Sequence, residues 1–272
     1  MQKIMEFKLN PTQKTVTFLG LLAIGAIISN FKLALLIHFA IILIFAFALF
    51  WTLKKITGKE KNINNTIISA LIISLLLHYS GPGNSAIIYS LLATFITISS
   101  KFFLEPKGMP IINPVALGLL ATYGISNISG MQAMLISWWG TNYQFHFPLA
   151  LLLLAMWIIF WFKNWQKWGV LMSFLVANAI LNFAFNQDLE FLKFIYTDGT
   201  IYFFSAIMLI DPKSSPILKN QQIIFGILAA LAYNTLSYFG VPQYALWAIA
   251  IANIGFYLMR ILKKRQIDKA NI

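Results

Sequence analysis

The chain reads as an all-α polytopic membrane protein of about ten transmembrane helices in two inverted five-helix repeats. Three observations predict this. The first is composition: of 272 residues, 59% are hydrophobic and only 10% are charged, with a mean hydropathy of +0.76. An average soluble protein is roughly 25% charged. A soluble domain of this length cannot bury 24 Phe, 10 Tyr and 8 Trp along with its aliphatic residues, so lipid is the solvent for most side chains. The second is the placement of Lys and Arg on alternate breaks. The third is a set of Pro/Gly breaks that recurs in both halves. Together they exclude a soluble enzyme, a disordered regulator and a single-span receptor. Cys is absent, which removes disulfides, thiolate iron–sulfur ligation and a catalytic thiol.

Taken in order, the apolar stretches are Thr15–Ser29, Leu33–Leu53, Thr66–His78, Ser85–Phe102 and Val115–Trp139, then Pro148–Phe162, Gly169–Phe185, Thr200–Ile210, Ile223–Phe239 and Tyr244–Ile261. A clean span needs about 20 residues. The third and eighth fall short and are expected as broken or half-length helices. The fifth is too long and contains Gly118, Gly124 and Gly130, so an interruption is expected within it. The first resembles a signal-peptide core, but no A-x-A-like cleavage site follows within Ile24–Lys32, and a retained helix is expected.

Orientation follows from the basic residues. With the N-terminus inside and all ten stretches crossing, the inner pieces hold 18 of the 20 Lys and Arg, and the outer pieces hold only Lys32 and Lys193. That split predicts cytoplasmic N- and C-termini in a cell inner (cytoplasmic) membrane. It also accounts for the net charge of +12 without nucleic acid: basic loops face the cytoplasm.

Two halves of five segments, residues 1–140 and 141–272, must have opposite topology, and the breaks match. Segment 3 ends at Ser80-Gly81-Pro82-Gly83-Asn84-Ser85, segment 8 at Asp211-Pro212-Lys213-Ser214-Ser215-Pro216. Gly108-Met109-Pro110 introduces segment 5, and Gly240-Val241-Pro242 introduces segment 10. Paired short, Gly/Pro-interrupted segments point to a site near the bilayer midplane. On this pattern segments 3 and 8 are expected to pack near each other at the centre. Each break taken alone is also an ordinary helix end.

Ionisable residues inside a bilayer are expensive and therefore informative. No segment carries a mid-membrane Asp, Glu, Lys or Arg, which disfavours a carboxylate proton relay and a voltage sensor. His38 in segment 2 reads as a neutral partner of a neighbouring helix. Three scattered His do not make a metal site. The strongest polar clusters both fall on the inner side. In one, preceded by Lys101, Asn113 can cap the helix that Pro114 opens, and N–H groups left free there would attract an anion or a carbonyl oxygen. In the other, Asp211 stands at a helix C-terminus, where an acid opposes the dipole, and is followed by Pro212, Lys213, Ser214 and Ser215. Asp211 therefore needs a partner such as Lys101, Lys213 or a backbone N–H. The alternative is an Asx-turn before Pro212.

These two clusters resemble motifs of the NqrB/RnfD family, the membrane subunit of sodium-pumping quinone reductases and Rnf electron-transport complexes. Ser100-Lys101 to Gly118 is similar to the family's K-to-NPA region, with Asn113-Pro114 on the NPA motif and Val115 in place of its Ala. Met208-Leu-Ile-Asp-Pro-Lys-Ser-Ser-Pro216 is similar to M-x-TDPxTSP, with Ile210 and Ser214 where Thr is usual. The resemblance covers about Asn65 to Leu262. It implies a urea-transporter-like fold, membrane-embedded electron transfer with flavin, and cofactor contacts at Lys101, Asn113, Pro114, Asp211, Pro212, Lys213, Ser214 and Ser215. It also implies partners: other redox-complex subunits, or a soluble flavoprotein or ferredoxin-like protein. The family's S-x-A-T motif, whose Thr carries FMN covalently, has no counterpart. Thr141 and Thr200 lack its context, and Ser129-Gly130-Met131-Gln132 has Gln where Thr is required. Noncovalent riboflavin or FMN is admitted; covalent FMN is not expected. The resulting expectation is a minimal or diverged membrane subunit of a flavin-linked electron-transport system, with ion translocation as its coupled process. The rivals are a small-solute channel or transporter on the same fold, since fold does not fix function, and a membrane anchor without a ligand.

Overall fold

The computed structural model describes residues 10–30, 33–77, 85–129, 167–186, 189–197 and 199–270, with Ile136 and Ala155 as single positions. Among them the chain is helical and no strand occurs. In order the helices are α1 (Pro11–Asn30), α2 (Leu33–Thr57), α3 (Ile63–Leu76), α4 (Ser85–Phe103) and α5 (Pro114–Ile128), followed by α6 (Trp168–Asn186), α7 (Leu189–Thr197), α8 (Gly199–Phe203, continued by a π-helical turn over Phe204–Leu209), α9 (Lys219–Tyr238) and α10 (Tyr244–Ala270). Four stretches are long and apolar enough to cross a membrane: Pro11–Ile28, Leu33–Thr57, Trp168–Phe185 and Tyr244–Leu262. The chain is an α-helical membrane protein. Four shorter apolar helices, Ile63–Leu76, Ile87–Phe103, Pro114–Ile128 and Gly199–Leu209, accompany them.

Local chemistry sets the boundaries. Asn10 Oδ1 accepts from Gln13 N at 2.8 Å while Gln13 Oε1 accepts from Asn10 N at 2.9 Å, and Pro11 occupies the first helical position. This capping box starts α1 four residues before Thr15, where hydropathy alone placed it. Asn62 caps α3 through Asn64 N. The over-long fifth segment does stop: α5 ends at Ile128, with Ser129 as its cap. The outer piece that holds Lys193, between the seventh and eighth segments, contains the helix α7, whose Leu189 and Phe194 are exposed. The sixth segment, the Pro82 break, the rear of the fifth segment and Thr141 lie outside the described residues. Gly108 and Gly240, the paired glycines of the two breaks, both have positive φ (78° and 65°), a conformation that favours glycine.

Packing is organised by pairs of helices in register. His38 of α2 is buried and faces Ser90 Oγ of α4 at 3.5 Å; Phe50 and Phe102 of the same helices meet edge-to-face with centroids 5.9 Å apart. Both pairs are 52 positions apart, so α2 and α4 run parallel. In α6 and α9, Phe185 stacks on Tyr238 and Gly169 lies against Gln222, both 53 positions apart, so these two helices also run parallel. Phe174, Phe204, Tyr233 and Tyr244 pack in a chain of rings that joins α6, α8, α9 and α10. Two helices are enclosed: from Ser69 to Leu77 in α3, and from Ile201 to Ile210 in α8, every residue is buried. Among the described helices α3 and α8 thus hold the longest buried runs.

Candidate functional site

A cavity of about 250 Å³ opens where α1, α3 and α5 begin and α4 and α8 end. Six of the eight residues singled out in the sequence line it: Lys101, Asn113, Pro114, Asp211, Pro212 and Lys213. The remaining two, Ser214 and Ser215, are buried directly behind it. Ile68 and Ile72 of α3 and Ile207 and Met208 of α8 contribute apolar lining. The two motif segments, far apart in the chain, therefore wall one space.

Asn113 is the hub. Its Oδ1 accepts from Val115 N at 2.9 Å and Ala116 N at 3.2 Å, which caps α5. Its Nδ2 donates to Met208 O at 3.3 Å, and its backbone N–H donates to Asn253 Oδ1 at 2.7 Å. Asn253 Nδ2 in turn donates to Ser214 O at 3.0 Å. One buried Asn on α10 thus ties the start of α5 to the turn after α8. The expectation that free N–H groups at the start of α5 would attract an anion is corrected here: Asn113 itself occupies those of Val115 and Ala116.

Asp211 is held by its own turn. Ser214 Oγ donates to Asp211 Oδ2 at 2.8 Å, and Ser215 Oγ and the N–H groups of Ser214 and Ser215 bond Asp211 O. Among the described residues no Lys forms an ion pair with Asp211. Lys213 instead approaches Glu105 Oε2 at 3.6 Å, and Lys61 reaches the same oxygen at 2.5 Å. Glu105, with its side chain 2% exposed, is a buried carboxylate between two ammonium groups, Lys61 just before α3 and Lys213 in the turn after α8. Lys167, 4% exposed, donates to Ser215 O at 2.9 Å and Pro216 O at 2.6 Å. Burial lowers its ammonium to about 8, opposed by the field of Asp211.

The sequence reading missed Glu105, Asn253 and Lys167. Glu105 had a signal: it is an acid beside Pro106 in a loop next to the NPA-like motif, in a chain with only 8 acidic residues. Asn253 sits within an apolar helix, where a lone Asn is costly unless bonded. Lys167 adjoins a run of Trp and Lys residues and had no distinguishing mark.

The cavity's volume lies below the roughly 300–1,000 Å³ of pockets for drug-sized ligands. Among the described residues no Phe, Tyr or Trp lines the cavity. The side chain of Asn113 is committed to protein partners. The described lining gives a flavin ring no stacking partner and leaves space of the size of a small polar or charged solute. Thr200, the second residue of α8, is half-buried within a helix and offers no exposed loop hydroxyl. Comparison with protein-family models and with curated proteins finds no match for this chain.

Proposed function

We propose that the chain is a membrane subunit of a flavin-linked electron-transport system, built as a ten-segment inverted repeat with both termini in the cytoplasm. One observation carries the functional part: the two segments that resemble the NqrB/RnfD motifs, around Asn113-Pro114 and Asp211–Ser215, wall a single cavity and are joined through Asn253. Because the described lining offers a flavin ring nothing to stack on, this reading places the flavin on a partner subunit or flavoprotein. The cavity then serves the coupled movement of an ion or small solute. The chain supplies the charged, half-enclosed site and the partner supplies the redox chemistry.

The repeat reading is supported by matched geometry. Parallel pairs α2/α4 and α6/α9 share nearly the same offset, 52 and 53 positions. The first pair runs towards the cavity, with Lys101 at its end, and the second runs away from it, starting beside Lys167. The positive-φ glycines of the two breaks correspond as well. Asn253 lies nine residues into α10, about 14 Å along its axis, which is near half of a ~30 Å hydrocarbon core. Its bonds to Asn113 and Ser214 would put the start of α5 and the turn after α8 at that depth, the arrangement of helices broken at a midplane site.

A second reading, passage of a small solute without redox coupling, is favoured by the cavity's modest volume and by its apolar walls rimmed with charge. Electron transfer in native membranes separates the two. Deletion of the chain should abolish flavin-dependent electron transfer to the membrane acceptor, and the wild-type chain should restore it. Unchanged transfer in the deletion would end the redox reading and leave solute flux in proteoliposomes as the test of the second.

A further inference from the structure

Lys101 is held in an unusual way. It lies in the last turn of α4, and its Nζ donates to Asn65 O at 2.5 Å and Ser69 Oγ at 2.6 Å, both on α3. Two carboxylates, Glu105 and Asp211, line the same cavity, yet Lys101 pairs directly with neither. Glu105 is taken by Lys61 and Lys213. Asp211 is bonded by Ser214 and acts on Lys101 only through space. A compact ammonium is thus clasped by a carbonyl and a hydroxyl oxygen, with a carboxylate nearby in the same cavity. Those are the donors a hard monovalent cation takes: neutral oxygens for coordination and one negative charge for neutrality. Lysine's ammonium is a point charge on a flexible stem, suited to stand where a free ion otherwise would.

We propose that Lys101 is a tethered cation: its ammonium fills a monovalent-cation site made by Asn65 O and Ser69 Oγ in the field of Asp211. The chain thus supplies its own cation, and the fold does not depend on sodium or potassium at this position. Remove the side chain and the oxygens remain, with a net negative field and room for an ion. The inference rests on the cavity and not on the redox reading, so it stands or falls separately.

The test uses the full chain in detergent, with thermal unfolding measured in sodium, potassium, lithium or N-methylglucamine chloride at constant ionic strength. Wild type should unfold at the same temperature in all four. Lys101→Ala should be less stable in N-methylglucamine and should regain stability with a small alkali cation, by the order of 3 °C per tenfold rise in its concentration once the site fills. Ethylammonium should rescue it likewise. Lys101→Met, which fills the space without charge, should show no such response, and Ser69→Ala added to Lys101→Ala should weaken it. Equal unfolding of Lys101→Ala in every salt would overturn the proposal, as would a wild type that responds to alkali cations as strongly as the variant. If Lys101→Ala does not fold, Lys101→Gln takes its place: it should be destabilised by the uncompensated Asp211, and Asp211→Asn should restore it. Lys101→Gln as stable as wild type would equally overturn the proposal.

Discussion

Asp211 concentrates the electrostatics of the site. It stands at the C-terminal end of α8, where a negative charge opposes the helix dipole, and it acts on two clasped ammonium groups, Lys101 and Lys167, without touching either. Asp211→Ala removes the counter-charge of both while leaving the helices intact. It should impair transport or electron transfer more than it lowers the amount of protein in the membrane; equal loss of both would reduce Asp211 to the role of a turn residue. Lys167 gives a pH signature. Its ammonium titrates near 8 in the folded chain against an ordinary 10.5, so between those values the unfolded chain binds more protons, and stability rises with pH across the window. Thermal unfolding should therefore show a stability gain from about pH 8 to about pH 10 in wild type that is smaller in Lys167→Met. Asn253→Ala strands Asn113 N–H and Ser214 C=O in the interior, at a cost of about 2 kcal/mol or more. Chemical denaturation measures it. At this scale the sequence exposed the residues that punctuation marks, Asn113 before Pro114 and Asp211 before Pro212. It did not expose Asn253 or Lys167, because their partners are backbone atoms brought in by other helices, and no local pattern encodes those.

Helices meet closely where glycine lets them. A Cβ on Gly226 would lie 2.0 Å from Ser173 Oγ and 2.6 Å from Val170 O; one on Gly118 would lie 2.0 Å from Thr97 Oγ1 and 2.6 Å from Ala93 O. The nearer atom is a side chain that can turn, but the second is backbone, so α6 and α9, or α4 and α5, would have to separate. Gly124, also in α5, has nothing within 4 Å. Gly226→Ala and Gly118→Ala should each destabilise by about 1–3 kcal/mol through overpacking, while Gly124→Ala should be neutral or stabilising by up to about 1 kcal/mol from helix propensity. Equal effects at all three, read from unfolding midpoints, would contradict the packing described. Length and hydropathy located most elements, and the third and eighth segments, expected as short helices, carry the longest buried runs among the described residues. Hydropathy failed at the start of α1, where polar capping residues begin the helix before the apolar run. It failed at α7, whose polar face hid it among loops. The π-helical turn of α8 had no signature at all; Asn113 Nδ2 bonds Met208 O within it, a contact set by tertiary packing.

For the whole molecule, the inverted repeat and the charge distribution make one joint demand. If α2 and α4 run towards the cavity and α6 and α9 run away from it, the loops around Lys55 and Lys219 share one side of the membrane, and α7 with Lys193 belongs to the other. If all ten segments cross, 18 of the 20 basic residues fall on the side of the cavity, which would make that side cytoplasmic. The chain contains no Cys, so single cysteines can report this without background. Lys55, Lys193 and Lys219 are exposed and serve no role in the cavity, so Lys55→Cys, Lys193→Cys and Lys219→Cys leave the site intact. In right-side-out vesicles a membrane-impermeant maleimide should label only Lys193→Cys. In inverted vesicles it should label Lys55→Cys and Lys219→Cys and spare Lys193→Cys. Labelling of Lys55→Cys and Lys219→Cys from opposite sides would break the repeat, because the two parallel pairs would no longer run in opposite directions. A complete exchange of the pattern would keep the repeat but invert the protein. The cavity would then face outward, and a cytoplasmic electron-transfer partner could not reach it.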